Sequence, residues 1–271
     1  MSKTVAKTLA GFARTATAWM RPYRRAITLS LVSEGLTQAS RVETPHGPLV
    51  FSAPSARALH DPEAFGRDEP ETVRWIEGMS AREVLWDIGA NIGLYALYAA
   101  KRHTMKVLAF EPGAASYAAL VRNVELNKLD SCVESYCIAF DEKTHLEHLN
   151  MMNTGAGHSM HAFGQTETVR GDIDPVFRQS VPGFSVDDFC RIFSPPPPDH
   201  IKLDVDSIEE KILHGARVTL RGSVKSVLVE IDGETKEAGG GAIRSILAEA
   251  GFIEDADFAA PARRNALFIR R

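Results

Sequence analysis

The sequence feature that most constrains the fold is a pair of glycines between a strand and a helix. Glu83–Ile88 is an apolar run typical of a buried strand, and the turn Asp87–Gly93 that ends it has the sequence DIGANIG. Leu94–Arg102 then shows a helical pattern. Glycine permits tight backbone geometry, and the start of a helix presents unpaired N–H groups. The turn therefore predicts a ligand site at the end of this strand.

The alternation of strand and helix continues along the chain. Lys106–Glu111 is predicted as a second strand, Ala114–Asn127 as an amphipathic helix and Val133–Ala139 as a third strand. Further strands are predicted at His200–Val205, Ser226–Ile231 and Asn265–Arg270, and further helices at Ile208–Leu220 and Ala242–Ala250. Such alternation indicates a parallel sheet with right-handed crossovers. We predict a doubly wound, Rossmann-like α/β sheet whose last strand is antiparallel.

Residues 1–39 are predicted to form an N-terminal helical extension of a domain at residues 40–271. Lys3–Val32 is rich in alanine and basic residues, with apolar residues interspersed, which predicts one or two helices. We expect these helices to pack on the domain or to pair with another subunit. The alternative is that residues 1–33 lie on an anionic membrane surface through a basic face.

Residues 141–200 interrupt the regular pattern. Glycines and prolines, including the run Pro195–Pro198, punctuate this part of the chain. We predict an elaborated, partly looped and substrate-facing region of the same domain, with short strands at Leu146–Met151 and Gln179–Phe184. The other predicted elements are a hairpin at Ser40–Ala53 and a helix at Glu69–Gly78.

The charge distribution argues against a nucleic-acid substrate. The net formal charge is −4, but residues 1–33 contain six basic residues and no acidic one, so residues 34–271 carry −10. A domain this acidic is poorly suited to a phosphate backbone. The three cysteines show no paired spacing, and no run of apolar residues is long enough to cross a membrane. We therefore expect a cytoplasmic protein.

The glycine turn differs from the dinucleotide fingerprint. Its spacing is GxxxG rather than GxGxxG, so the first tight phosphate turn is missing. Glu111 ends the next strand, where a carboxylate can accept hydrogen bonds from both hydroxyls of a ribose. Asp87 can face an ammonium group, which a dinucleotide lacks. An NAD(P)-binding oxidoreductase is nevertheless the main alternative, because it shares the strand, turn and ribose carboxylate.

Three motifs in this order resemble the FkbM-type methyltransferases. The resemblance rests on Trp86–Tyr95 (WDIGANIGLY), Ala109–Pro112 (AFEP) and Ile201–Asp206 (IKLDVD), and it covers roughly residues 70–235. It implies a class I methyltransferase sheet and S-adenosyl-L-methionine as the cofactor. It also implies O-methylation of a hydroxyl on a sugar, a glycan or another small acceptor.

The same resemblance assigns cofactor-binding residues. Carried onto this chain, they are Asp87, Gly89, Ala90, Asn91 and Gly93 for the methionine moiety, Glu111 for the ribose and Asp141 for the adenine. The chain departs from the family at Asp206-Ser207, where an acidic residue followed by glycine is common. A serine there could narrow the pocket, so the identity of the acceptor is not carried over.

Proton removal from an alcohol acceptor calls for a base close to the reacting oxygen. Asp204 and Asp206 are the leading candidates, because ligands of parallel sheets bind at the carboxyl ends of the strands and residues two apart on a strand face the same side. His158, in a glycine-rich stretch, is a third candidate, since histidine titrates near working pH.

Other roles remain open for these side chains. The two aspartates could bind a divalent cation together with Glu230, although we predict no metal site. Asp206 could instead cap the helix that begins near Ile208. Lys202 is expected to form a buried ion pair with Asp204.

Taken together, the sequence predicts an S-adenosyl-L-methionine-dependent methyltransferase, with a small-molecule or glycan hydroxyl as its acceptor and no nucleic-acid partner. A third alternative is a non-catalytic nucleotide-binding module at the inner face of a membrane. The oligomeric state is left open.

Overall fold

The computed structural model describes residues 2–168, 171–231, 239–258 and 265–271. The chain separates into two compact units, Met1–Ala39 and Ser40–Arg271. The first unit contains helices α1 (Ser2–Ala16) and α2 (Pro22–Leu36). Two helices agree with the prediction for this part of the chain. No helix in the described ranges is both long and apolar enough to cross a membrane.

The strands and helices from residue 38 onward have the following bounds. The strands are β1 (Gln38–Val42), β2 (Leu49–Ala53), β3 (Val84–Ile88), β4 (Lys106–Phe110), β5 (Val133–Tyr136), β6 (Ala139–Phe140), β7 (His145–Met151), β8 (His161–Phe163), β9 (Glu167–Thr168), β10 (Gly171–Asp172), β11 (Phe177–Phe184), β12 (His200–Leu203), β13 (Ser226–Glu230), β14 (Phe252–Glu254) and β15 (Asn265–Arg270). The helices are α3 (His60–Glu63), α4 (Pro70–Glu77), α5 (Leu94–His103), α6 (Ala114–Asn127), α7 (Val186–Phe193), α8 (Glu209–His214), α9 (Arg217–Leu220) and α10 (Gly239–Glu249). A 3₁₀ turn at Arg57–Leu59 precedes α3.

A seven-stranded sheet forms the centre of the second unit. Its order is β14-β15-β13-β12-β3-β4-β5, and β15 is antiparallel to both of its neighbours. The pairs from β13 to β5 are parallel. This confirms the predicted doubly wound sheet and its antiparallel last strand. The strand order reverses between β3 and β12, and such a switch point leaves a crevice at the carboxyl ends of the strands.

Both faces of this sheet are buried, which explains the continuous apolar runs of its strands. Trp86 and Ile88 of β3 belong to one hydrophobic core, and Leu85, the residue before Trp86, belongs to a second core on the other face. In the first core the ring of Phe189 on α7 lies 5.8 Å from Trp86 and 5.5 Å from Phe110, measured between ring centroids. The helix α7 is therefore a structural part of the core.

The described part of residues 141–200 contains more regular secondary structure than the sequence predicted. A second sheet has the order β6-β11-β7-β8, and β9 and β10 form a separate antiparallel pair. The predicted short strands Leu146–Met151 and Gln179–Phe184 correspond to β7 and β11. The helix α7 was not predicted, although Ser185 caps it by accepting a hydrogen bond from the Asp188 N–H at 3.1 Å.

Two predicted elements have different bounds in the structure. The third strand ends at Tyr136, and Ala139–Phe140 pairs with β11 in the second sheet instead. The predicted helix Ile208–Leu220 is divided into α8 and α9 at Gly215.

Candidate active site

A cavity of about 740 Å³ lies where β3, β4, β12 and β13 end. Its lining includes Asp87, Phe110, Asp204 and Glu230, which lie at or just beyond the carboxyl ends of these strands. The volume lies within the range of about 300–1,000 Å³ usual for small-molecule sites. The cavity also coincides with the switch point of the sheet, where a ligand is expected.

The glycine turn brings the backbone of two strands into close approach. Gly89 has φ +85°, and a Cβ built on it would lie 1.8 Å from the carbonyl oxygen of Asp204. The N–H groups of Gly89 and Ala90 both donate to the carbonyl of Phe110 at 3.0 Å. Gly89 is therefore required by backbone geometry, and it fixes the turn against both neighbouring strands.

Glu111 holds the turn in place with its carboxylate. It accepts from the Asn91 N–H at 2.9 Å and from the Gly113 N–H at 2.8 Å, one bond on each oxygen. Burial raises its pKa to about 7, against the lowering effect of these two hydrogen bonds. Each carboxylate oxygen can accept a further bond. Because Glu111 lines the cavity, both oxygens can receive hydroxyl groups of a ligand.

Gly89, Ala90, Asn91 and Glu111 line the cavity, but two residues assigned to the cofactor by resemblance do not. Gly93 has φ +88°, and a Cβ there would lie 2.4 Å from Leu120, so this glycine serves the packing of α5 against α6. Its role as a cofactor contact stays a prediction.

Asp141 also lies outside the lining of the cavity. Its carboxylate accepts from the Glu142 N–H at 2.7 Å and lies 3.4 Å from His145 Nε2. The chain leaves the main sheet after Tyr136, which carries Asp141 into the second sheet. Its contact with the adenine stays a prediction. The apolar lining of the cavity includes Ile138, Ala139, Phe140 and Leu149.

Asp87, Lys202 and Asp204 form a buried charged cluster in the cavity floor. The register of β3 and β12 places Asp87 opposite Lys202, and Lys202 Nζ lies 2.5 Å from Asp204 Oδ2. This confirms the predicted ion pair. Burial raises the pKa of Asp87 to about 6, opposed by Lys202 and assisted by Asp204. Burial alone would lower the pKa of Lys202, but Asp204, Glu69 and Asp87 outweigh it and raise the pKa, so Lys202 remains protonated.

Asp206 lines the cavity, and its role as a base stays a prediction, but it is not the helix cap considered in the sequence analysis. The strand β12 ends at Leu203, so Asp204 and Asp206 are not alternate residues of one strand. The helix α8 has Ile208 as its N-cap, with no side-chain cap. Instead Asp206 Oδ2 accepts from the backbone N–H groups of Met160 and His161, the latter at 3.0 Å. Asp206 therefore anchors the 153–161 loop at the edge of the cavity.

That anchored loop brings two histidines to the cavity, His158 and His161. The sequence analysis named only His158 as a candidate base. Burial lowers the pKa of His161, so its ring is neutral near physiological pH, and its buried Nδ1 has no hydrogen-bond partner among the described residues. A neutral imidazole beside a cavity can accept a proton, and His161 joins the candidate bases.

The sequence analysis did not predict the acidic wall of the cavity, which consists of Glu69 and Glu71. Glu69 and Glu71, around the start of α4, line the cavity together with Tyr95 and Asn265. The Asn265 amide donates to Glu71 Oε1 at 3.1 Å and lies 3.3 Å from Glu69 Oε2. These residues come from separate elements, and the sequence gives no spacing that would join them.

The position Ser207, where the chain departs from the family pattern, has φ +83°. This left-handed conformation favours glycine, which explains why glycine is common there. Ser207 does not line the cavity, so the expected narrowing of the pocket is not observed.

Among the described residues no cluster of three or more His, Cys, Asp or Glu side chains is arranged to hold a metal ion.

Structural comparison finds similarity to solved methyltransferases of distant sequence. An FkbM methyltransferase of Methylobacillus flagellatus has 16% identity and a TM-score of 0.48, and the match covers 78% of this chain and 51% of that protein. The chain thus spans about half the length of that relative. An L11 ribosomal protein methylase of Lactobacillus delbrueckii subsp. bulgaricus has 15% identity and a TM-score of 0.45, over 74% of this chain and 77% of that protein.

A third match is TYW2 of M. jannaschii in complex with AdoMet, with 14% identity, a TM-score of 0.43, and coverage of 86% of this chain and 87% of that protein. Similarity at this level assigns no substrate, and no role in this chain rests on it.

No curated protein sequence matches the chain. The family comparison is more informative, because the model of the methyltransferase FkbM domain matches residues 87–254. That range begins at Asp87 and contains the glycine turn, Glu111, the anchored loop and the Lys202–Asp204 pair. The chain belongs to the FkbM methyltransferase family.

Proposed function

We propose that the protein transfers the methyl group of S-adenosyl-L-methionine to a hydroxyl of a sugar, a glycan or another small hydroxylated acceptor. The single observation that carries the proposal is the position of Glu111. Glu111 lines a small-molecule cavity beside a GxxxG turn, and a carboxylate there suits the two hydroxyls of a ribose. Membership of the FkbM family supports methyl transfer rather than hydride transfer.

The residues present fit this cofactor. Glu111 would hold the ribose hydroxyls, and the wall of Ile138, Phe140 and Leu149 would contact the flat face of the adenine. Gly89 leaves the turn without a side chain that would meet the backbone of Asp204. Asp87 Oδ1 is buried without a hydrogen-bond partner in the described part of the chain, and a ligand at the methionine end would supply a donor.

When bound, the cofactor supplies an electrophilic methyl group carried on a sulfonium. The chain has to orient the acceptor oxygen in line with that methyl group and to remove the hydroxyl proton. Asp204 is our leading base, since it lines the cavity and Lys202 holds its carboxylate in place. Lys202 remains protonated and cannot itself accept the proton.

His158 and His161 are the alternative bases, and Asp206 is assigned to positioning them. The carboxylate of Asp206 is engaged with the backbone of the loop that carries both histidines. A general base usually contributes a factor of about 100 to 10,000 to the rate. Single variants of Asp204, His158 and His161 are therefore compared by their turnover. The variant that lacks the base should lose turnover by a factor in this range.

The proposal is tested by incubating the full-length protein with cell extracts and S-adenosyl-L-methionine labelled on the methyl group. Mass spectrometry should find one labelled methyl group, attached through oxygen, on a saccharide-containing or other small hydroxylated compound. A Glu111→Ala variant should leave that compound unlabelled. Label found only on nitrogen, on protein or on nucleic acid would contradict the proposed acceptor class.

A further inference from the structure

The carboxylate of Glu71 is buried in the cavity wall, and no basic side chain among the described residues forms an ion pair with it. The residue is 1% exposed and lines the cavity, and its Oε2 has no hydrogen-bond partner among the described residues. Its other oxygen, Oε1, accepts a hydrogen bond from the neutral side-chain amide of Asn265. Removing a carboxylate from water is costly unless it is paired.

Lys202 does not supply the missing charge. Its ammonium forms an ion pair with Asp204 at 2.5 Å, and Glu69 and Asp87 are the other carboxylates that act on it. No ion pair of Glu71 with a basic side chain occurs within the described ranges. The hydroxyl of Tyr95 hydrogen-bonds Glu69, which fixes the neighbouring carboxylate rather than Glu71. Glu69 and Glu71 thus carry more negative charge than the described basic side chains around them neutralise.

We propose that Glu71, with Glu69 beside it, forms a subsite for an ammonium group of a bound ligand. The inference rests on the proposed function, because the cofactor carries an α-ammonium group and the acceptor is the second ligand of the same cavity. An ammonium donates hydrogen bonds in three directions, which suits the unpartnered Oε2 of Glu71 and the carboxylate of Glu69. Glu71 then binds the positive charge that Asp87 was expected to bind.

The ammonium group belongs either to the cofactor or to the acceptor. Comparing the affinity for S-adenosylhomocysteine with the affinity for its analogue that lacks the amino group distinguishes the two. Calorimetric titration of the wild-type protein should show at least tenfold tighter binding of S-adenosylhomocysteine, and Glu71→Gln should bind the two compounds alike. This result places the cofactor's ammonium at Glu71. The control is Glu125→Gln, an exposed glutamate on α6 that does not line the cavity and should keep the full preference.

If the wild type binds both compounds equally, the acceptor is the source. Methylammonium should then bind the complex with S-adenosylhomocysteine in the wild type and not in Glu71→Gln, as measured by saturation-transfer NMR. The subsite is overturned if Glu71→Gln alters neither the preference nor methylammonium binding. Failure of the proposed function looks different, because S-adenosylhomocysteine then binds none of the proteins.

A different observation, on α1, supports a second inference. The side chains of Val5, Leu9 and Phe12 are 53%, 63% and 73% exposed, and their spacing of four and three residues places them on one face of the helix. Lys3, Lys7 and Arg14 share the opposite face, and the helix contains no acidic residue. This is the pattern of a helix that lies in the plane of a membrane surface, with its apolar face inserted.

We infer that α1 docks on an anionic lipid surface. The choice of lipid over a second copy of the chain rests on charge, since the first 33 residues contain six basic and no acidic residues. An anionic surface attracts each such residue with about 1 kcal/mol, whereas two copies of this segment would repel each other.

Cosedimentation of the full-length protein with phosphatidylserine-containing vesicles and with pure phosphatidylcholine vesicles tests this docking. Leu9→Ser/Phe12→Ser should reduce binding at least tenfold, and Lys3→Gln/Lys7→Gln/Arg14→Gln should abolish the preference for phosphatidylserine. The matched controls are Val176→Ser/Val218→Ser, which changes two exposed apolar residues elsewhere, and Lys128→Gln/Lys143→Gln/Arg221→Gln. If the α1 variants instead dissociate a dimer and leave vesicle binding unchanged, the lipid assignment is wrong.

Discussion

The carbonyl oxygen of Asp204 occupies the space that a side chain on Gly89 would need, with only 1.8 Å between it and a Cβ built on Gly89. The glycine turn after β3 and the residue proposed as the base after β12 are therefore in direct backbone contact. Because neither can move without the other, the cofactor turn fixes the position of the base. This close approach has a direct experimental consequence.

We predict that Gly89→Ala destabilises the protein by about 2–4 kcal/mol and abolishes detectable binding of S-adenosylhomocysteine. The left-handed backbone conformation and the contact with the Asp204 carbonyl both oppose a Cβ. Denaturant titration and calorimetry measure the two effects. Gly241→Ala is the control, since a Cβ there meets nothing within 4 Å and alanine favours a helix. Normal binding by Gly89→Ala would show that the turn is not a cofactor contact.

Asp204→Asn should keep the affinity for S-adenosylhomocysteine within about threefold and lose at least about 100-fold in turnover. The neutral amide retains the shape of the side chain but cannot take the acceptor proton. Labelled methyl transfer in cell extracts gives the rate, and calorimetry gives the affinity. Asp130→Asn, an exposed turn residue, should match the wild type in both. Full turnover by Asp204→Asn would move the role of base to His158 or His161.

Cofactor affinity should rise with pH through the titration of Glu111. Burial holds its pKa at about 7 in the ligand-free protein, and only the ionised form accepts from both ribose hydroxyls. Between about pH 6 and pH 8 the affinity for S-adenosylhomocysteine should therefore increase about tenfold, with release of a proton on binding. Calorimetry in two buffers of different ionisation enthalpy measures that proton. An affinity that does not change with pH in the wild type would exclude this role for Glu111.

Titration of Glu111 changes the stability of the ligand-free protein in the opposite direction from the cofactor affinity. The pKa of Glu111 is raised from 4.5 to about 7 on folding, so the folded state binds more protons than the unfolded state between these values. The free energy of unfolding should fall as pH rises across this window, by about 3 kcal/mol for this group alone. Glu111→Gln should flatten the fall when denaturant titrations of the ligand-free protein are compared. An unchanged slope would contradict the raised pKa.

The helix α7 should contribute to stability through one ring. Phe189 is 3% exposed and contacts the rings of Trp86, Phe110, Tyr136 and Phe140. Phe189→Ala should cost about 3–5 kcal/mol in denaturant titration, as expected for an aromatic residue deleted from a core. Phe193→Ala, one turn along the same helix but 55% exposed, should cost less than about 1 kcal/mol. Equal costs for the two variants would mean that α7 is not anchored as described.

The sheet and the placement of the glycine turn beside Glu111 could be predicted because their signals are local. The strand before Gly89, the glycine pair and Glu111 lie within a single strand–helix–strand unit, so sequence spacing determines their arrangement. The antiparallel strand at Asn265–Arg270 could likewise be recognised from its own apolar run. The fold needed no long-range information beyond the order of its elements.

The rest of the cavity lining could not be predicted in the same way, because its residues meet only through tertiary structure. Glu71 and Asn265 are 194 positions apart, and their contact depends on α4 meeting the end of β15. His161 is brought to the cavity by Asp206, through hydrogen bonds to backbone that no side-chain pattern reveals. The end of the third strand was not predicted either, because the chain leaves the main sheet three residues earlier than its apolar pattern suggests.

The central claim is that the cavity binds S-adenosyl-L-methionine, and titration of the wild-type protein with S-adenosylhomocysteine and with NAD tests it most directly. We predict binding of one S-adenosylhomocysteine per chain, loss of that binding in Glu111→Ala, and no heat with NAD. Heat with NAD and none with S-adenosylhomocysteine would contradict the account.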